Sequence, residues 1–345
     1  MRKESCNAIE IAEKLKEKKY DFLWTTEGLG DNIILLTTGG SHAYGTNVSS
    51  SDIDLRGISL NTRKEILTMN CRIKPFEDRD TDTVIYTLKH ITSLLTEANP
   101  NTLEILGTRG EHLFVISEQG KLMRENVDLF LSKKAIQSFG EYAAAQLRRL
   151  QNALARDSYS QAKREEHILS SLMKRMKSFA DKYKHIENGS IKLYIDKSSR
   201  EGYEKEIFMD ISLNHYPLRD FKVYSEMNDI VRNFEKLNHR NKKKDEMHLN
   251  KHAMHLIRLL IMGTEILEGK GVNTYREKDK DFLLKIRNGD YVTEKNGHKD
   301  YSLVFEIVDV YEKNFKYAAE NTSLPDQPDC DAIDALVEAI NLSVL

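Results

Sequence analysis

The sequence predicts an α+β protein: a small mixed sheet flanked by helices in residues 1–128, then a mainly helical domain, residues 129–345, carrying an inserted β-hairpin. Three observations lead there. The strongest strand-like run, Ile33-Ile34-Leu35-Leu36-Thr37-Thr38, is apolar and β-branched and lies in the first third of the chain. Long stretches of helical periodicity begin only at about Ser132, which places the boundary near residues 126–132. Within the helical part, Ile191–Ile195 and Glu206–Leu213 read as strands joined by the turn-rich Ser198-Ser199-Arg200-Glu201-Gly202.

The elements follow in order. Residues 6–20 form an amphipathic leading helix, and the run from Ile33 ends at Gly39-Gly40. The chain turns through Tyr44-Gly45-Thr46-Asn47 and Ser49-Ser50-Ser51, then re-enters a strand at Asp52-Ile53-Asp54-Leu55-Arg56-Gly57-Ile58. A further strand begins at Asp82 and runs to Leu88. Ile91, Leu94, Leu95 and Ala98 recur at helical spacing until Asn99-Pro100 breaks that helix and starts another. Helices are expected at 132–156 and 160–187, with a turn over 155–160, and again at 219–237, 245–268, 279–288 and 301–320. A Pro-containing linker over 324–328 precedes a last helix at 331–343.

The chemistry concentrates between residues 39 and 56. Two glycines let the backbone turn sharply and approach a bulky anion. Ser41 follows, where its hydroxyl and nearby backbone N–H groups suit phosphate oxygens. On the next strand, alternation puts Asp52, Asp54 and Arg56 on one face. Carboxylates so close repel unless a cation lies between them, and hard oxygen ligands suit Mg²⁺. An Asp-x-Asp standing alone reads first as a solvated strand end neutralised by Arg56; the upstream Gly-Ser turn, with strands on either side, reverses that preference toward a phosphate and metal site.

Gly40-Ser41, the intervening loop and Asp52-Ile53-Asp54 resemble the signature of the DNA polymerase β-like nucleotidyltransferase superfamily. Gly40-Ser41-His42-Ala43-Tyr44-Gly45 through Ser51-Asp52-Ile53-Asp54-Leu55-Arg56-Gly57-Ile58 is similar to its RNA repair pathway polymerase β branch. So are Asn99–Leu106, Lys251–Leu267, Tyr275-Arg276 and Leu283–Gly289, so the resemblance covers about residues 33–290. It implies a catalytic domain over 1–128 and a nucleotide-closing domain over 129–345. It also implies two Mg²⁺ ions (Mn²⁺ as a substitute) on Asp52 and Asp54, ATP or another nucleoside triphosphate as donor, and an RNA end as acceptor. A third carboxylate is implied from a neighbouring strand; Asp82 is the candidate and Asp80 the alternative. Nucleotidylation of a protein or small molecule, and a non-catalytic nucleotide sensor, are the competing readings.

Lys251, His255 and Arg258 fall at i, i+4 and i+7, on one helix face, either as a row of phosphate donors or as a solvated basic stripe. His239, His248 and His252, with His255, lack the carboxylate or cysteine that would complete a zinc signature. Lys242-Lys243-Lys244 and Arg240 form a local basic run, and Arg276 and Arg287 are further anion candidates. Composition narrows the partners. Lys and Arg number 52 against 54 acids, so no bulk positive charge coats nucleic acid. The three cysteines, Cys6, Cys71 and Cys330, are scattered and make neither a zinc set nor a disulfide framework. With no apolar run of membrane length and no signal-peptide core, the expected compartment is the cytoplasm. There is no phosphate loop of the Gly-x4-Gly-Lys-Ser/Thr type and no Gly-x-Ser-x-Gly elbow. Gly28-Leu29-Gly30 precedes its strand, so it is not a dinucleotide fingerprint.

Overall fold

The computed structural model describes residues 8–68, 74–157, 176–179, 181–183, 189–199, 205–215, 217, 222–238, 246–295 and 298–343. Its centre is a five-stranded mixed sheet. β1 (Ile33–Thr38) is buried at all six positions, as its apolar run requires. It pairs antiparallel with β2 (Leu55–Ser59) on one side and β5 (Leu113–Ile116) on the other. β2 runs parallel to β4 (Thr83–Thr87), and β3 (Phe76–Asp78) closes the far edge antiparallel to β4, giving the order β3-β4-β2-β1-β5. β3 and β5 were not expected from the sequence.

The leading helix α1 spans Ala8–Lys14 and stops short of the expected residue 20; a 3₁₀ turn at Lys18–Tyr20 follows. Leu15, Tyr20, Leu23 and Leu29 from this region form one core with Ile33, Leu36, Leu55 and Ile85 of the sheet. α2 (Gly40–Tyr44) leaves directly from the glycine turn. α3 (Leu88–Thr96) ends ahead of Asn99-Pro100, and α4 (Pro100–Leu106) begins there. The Asn99 side chain accepts the Asn101 N–H at 3.0 Å while Pro100 takes the first helical position, where its missing N–H costs nothing.

The chain divides into two compact units, Met1–Leu147 with Asn250–Leu345, and Arg148–Leu249. The second contains β6 (Gly189–Lys197) and β7 (Lys205–Leu213), paired antiparallel from Gly189↔Leu213 to Lys197↔Lys205. It has its own core of Met176, Phe179, Tyr183, Ile191, Val223 and Ile230. The helix Lys222–Asn238 belongs to it. α5 (Glu246–Leu267), in the first unit from Asn250 onward, is buried over most of its length through Met254, Leu256, Ile257, Leu260, Met262 and Ile266. Helices at Lys280–Asn288, Ser302–Asn321 and Cys330–Leu342 follow close to their expected limits. A small hairpin of Thr293–Lys295 with His298–Asp300 was not foreseen. Most of the expected 160–187 helix, the 158–160 turn and the Arg200–Gly202 turn lie outside the described residues, as do Cys6, Cys71, His239, Arg240 and Lys242–Lys244. No helix among the described residues is long and apolar enough to cross a membrane.

Candidate active site

The second strand begins later than the alternation suggested. Asp52 and Asp54 lie in extended chain just before β2, whose ladder opens at Leu55. The reason is where the backbone groups go. The Asp54 carbonyl accepts the Gly39 N–H at 2.8 Å, tying the acid to the glycine turn, and the Leu55 N–H donates to the Asp82 carbonyl at 3.1 Å. Because Leu55 stands opposite Thr83 in the parallel pair, Asp54 and Asp82 become neighbours at the same end of β2 and β4. Their side chains share a hydrogen bond. Asp82 holds a left-handed φ of 46°, an uncommon conformation that aspartate tolerates. Asp80 is exposed two residues away, in the turn before β4.

Arg56 clamps this end of the sheet. One terminal nitrogen donates to the carbonyls of Leu55 at 2.7 Å and Asp82 at 2.6 Å, and the other reaches Asp82 Oδ1 at 3.1 Å. Burial, the Asp82 hydrogen bond and the Asp82 charge push the Asp54 carboxyl up to about 7. The same hydrogen bond, with Arg56, holds Asp82 below its ordinary value. The pair thus retains a proton on Asp54 over the range where a carboxylate is usually ionised. Lys251, near the start of α5, is exposed and acts on both acids through its charge. Asp52 is exposed, two residues before Asp54 in the chain.

The glycine turn is built to this acid. Gly40 has a φ of 54°, and a Cβ there would lie 1.8 Å from Asp54 Oδ2. At Gly39 a Cβ would lie 2.8 Å from Arg56 Cγ. Gly40→Ala is expected to incur the left-handed penalty of about 1–2 kcal/mol and to push the Asp54 carboxylate aside. A lowered melting temperature is the predicted result; an unchanged one by calorimetry would show that the close approach is dispensable. Ser41 is buried in α2, one residue past the turn.

Lys251, His255 and Arg258 lie along one helix but meet three different surroundings. Only Lys251 is open to solvent beside the acids. His255 is half-buried with its ring 6.1 Å from that of Tyr44, and burial, Arg258 and Lys251 hold it well below its ordinary value, hence neutral. Arg258 is buried, its guanidinium 3.7 Å over the Tyr44 ring and 2.5 Å from Glu104 Oε1. The Tyr44 hydroxyl donates to the other Glu104 oxygen at 2.5 Å. Glu104 and its two partners were not anticipated as a unit. Arg276 is engaged with Glu265 and Asp279, and Arg287 donates to the Thr46 carbonyl at 2.6 Å.

Among the described residues no group of three or more His, Cys, Asp or Glu side chains forms a metal cluster. The donor set that does converge is the Asp54–Asp82 pair, two oxygen ligands whose mutual repulsion a hard cation would relieve.

A glycine turn at the end of a buried strand, set against paired acids where two parallel strands begin, defines a class: mixed-sheet heads of the polymerase β kind. The chain belongs to RlaP, the RNA repair pathway DNA polymerase beta family, which matches residues 7–185. Membership points to a polymerase β-like nucleotidyltransferase in RNA repair. No curated protein and no solved structure matches the chain.

Proposed function

We propose that the chain is a metal-dependent nucleotidyltransferase that moves a nucleoside monophosphate from a nucleoside triphosphate to an acceptor hydroxyl, with an RNA end as acceptor. The observation that carries this reading is the Asp54–Asp82 pair held against the Gly39-Gly40 turn by the Gly39 N–H to Asp54 carbonyl bond. Ser41 and the backbone N–H groups after Gly39-Gly40 hold the triphosphate; the Gly39 N–H itself is already engaged. Lys251 adds the charge that an incoming polyphosphate needs beside two acids. His255, being neutral, contributes a ring N–H at most, and Arg258 acts by holding Glu104 and Tyr44 in place.

Asp54 and Asp82, the two acids that converge, would hold the first Mg²⁺ ion, and Asp52, two residues before Asp54, would have to turn inward to complete the two-ion set expected from the sequence. Bound there, the ions would neutralise phosphate charge and favour ionisation of the attacking hydroxyl. The acceptor oxygen attacks the α-phosphorus, the bond to the bridging oxygen breaks, and pyrophosphate leaves toward the glycine turn. Asp82 would accept the hydroxyl proton, a transfer the ions would favour by acidifying that hydroxyl. Arg56 keeps Asp82 in position. Catalysis is assigned to residues 1–128, and Asn250–Leu345, which shares their compact unit, supplies Lys251.

The test is label transfer from α-labelled and γ-labelled triphosphates with Mg²⁺ or Mn²⁺, offering RNA, protein and small hydroxyl acceptors together. Label from the α position is expected on RNA, with γ label released as pyrophosphate and neither event in Asp52→Ala, Asp54→Ala. Label on protein or a small product would replace RNA as acceptor. Triphosphate binding without transfer to any acceptor would overturn the enzymatic reading in favour of a sensor.

A further inference from the structure

The helix Ser302–Asn321 carries apolar residues on two sides. Val304, Val308, Phe315 and Ala318 are buried and face the core of the first compact unit. A second row points elsewhere. Leu303, Ile307, Val310, Asn314 and Tyr317 follow one another at steps of four and three, the spacing of a seam between two helices. Leu303, Val310 and Tyr317 are 44%, 54% and 68% exposed, Asn314 is exposed and Ile307 is half-buried. Single apolar side chains scattered over a surface need no explanation, but three at intervals of seven on one helix make a line.

Charge decides what fits that line. Glu306, Lys313 and Glu320 run beside it, also at intervals of seven, and all three are exposed. Glu320 is answered by Lys316 of its own helix at 4.0 Å, and Lys295, a cation near Glu306, is taken by Asp300 at 2.6 Å. The signs alternate along the row, so it complements a copy of itself. Two such helices laid antiparallel, with Ile307 of each against Val310 of the other, bring Glu306 of each beside Lys313 of the other. A two-fold axis makes both ion pairs at once. Sliding by one heptad sets Glu306 against Glu320 and Lys313 against its own counterpart, or, in the other direction, Glu306 against Glu306. A parallel pair turns the charged row toward Tyr311 and Ala318, which offer no charge.

We propose that this line is the surface through which two copies of the chain associate, antiparallel about a two-fold axis between Ile307 and Val310. The seam is short. A helix of 20 residues spans about 30 Å, and only the central layers set apolar against apolar, since Leu303 meets Asn314. Stable interfaces bury upward of about 1,200 Å², and a single helix pair lies at the low end, so the dimer is weak and forms as concentration rises. Association of this kind needs neither nucleotide nor metal and stands apart from the function proposed above.

Analytical ultracentrifugation of the full chain over a wide range of concentrations tests it. Wild type is expected to rise from 39.9 kDa toward twice that mass. Val310→Glu, Glu306→Lys and Lys313→Glu, all at exposed positions, are each expected to raise the dissociation constant at least about tenfold, with melting temperatures unchanged. Combining Glu306→Lys with Lys313→Glu in one chain is expected to restore association. So is mixing the two single variants, because either arrangement brings opposite signs together again. Wild type that stays monomeric throughout overturns the proposal and leaves the line to a different partner. A dimer that all three variants leave unchanged lies elsewhere on the molecule and overturns it equally. If the single variants weaken association but neither the combined variant nor the mixture recovers it, the antiparallel pairing is overturned.

Discussion

Asp54→Asn is expected to lower label transfer at least about 10³-fold, as loss of a group that organises charge at the reacting phosphate does. The same change is expected to stabilise the metal-free protein at pH 8. The Asp54 carboxyl titrates near 7 when folded against an ordinary value of 3.8, so folding favours its protonated form. Metal-free wild type therefore loses stability as pH rises from about 4 to about 7, and above that range carries the whole cost of ionising Asp54 beside Asp82. Asp82 titrates in the opposite sense, but its window lies below 3.8 and does not overlap. Melting curves between pH 4 and 8 should show Asp54→Asn and wild type converging at the acid end and separating toward pH 8. Mg²⁺ should then raise wild type far more than the variant, because only wild type keeps two carboxylates, the charge a hard cation needs. If the two melting curves run parallel across this range, the acid pair is not coupled as described.

Arg258→Ala carries the largest expected effect on stability. Its side chain is 4% exposed and that of Glu104 9%, so truncation leaves a buried carboxylate facing Tyr44 without its counter-charge. Breaking such a pair from one side costs about 3–5 kcal/mol, whereas removing both partners costs less than the sum. Chemical denaturation of Arg258→Ala, Glu104→Gln and the double variant closes the cycle. A strongly favourable coupling is expected, accompanied by reduced triphosphate binding, because Tyr44 ends the helix that leaves the glycine turn. Additive losses would mean that the two residues are stabilised by separate surroundings.

The parts of this architecture that local chemistry dictates were legible in the sequence. The run from Ile33 could hardly be anything but a buried strand, and Gly39-Gly40 had to end it. Asn99-Pro100 announces both a helix stop and a helix start, and both occur. The expected C-terminal helix at 279–288 begins one residue later, at Lys280. β3 and β5 were missed because they are edge strands of three and four residues, β3 too short for its alternation to register and β5 half-buried throughout, with no alternation at all. Asp82 and Asp80 share a face at spacing two, so alternation alone leaves both open. Only the parallel register of β2 with β4 brings Asp82 to Asp54. The Lys251, His255, Arg258 row has the helical spacing read from sequence, yet no spacing rule tells an arginine with a solvent partner from one whose partner is Glu104, 154 residues earlier.

That same separation has a bearing on how the molecule comes into being. Arg258 emerges from the ribosome after the whole of Arg148–Leu249, the second compact unit. The sheet, the glycine turn and the acids are all synthesised well before the counter-charge that completes Glu104. Closing a connection of that length makes the last step of assembly slow relative to the local pairing of β6 with β7. A chain ending before α5 would therefore carry every acid of the site and leave Glu104 without its counter-charge, so the charge balance of the site is completed late, in the final third of translation.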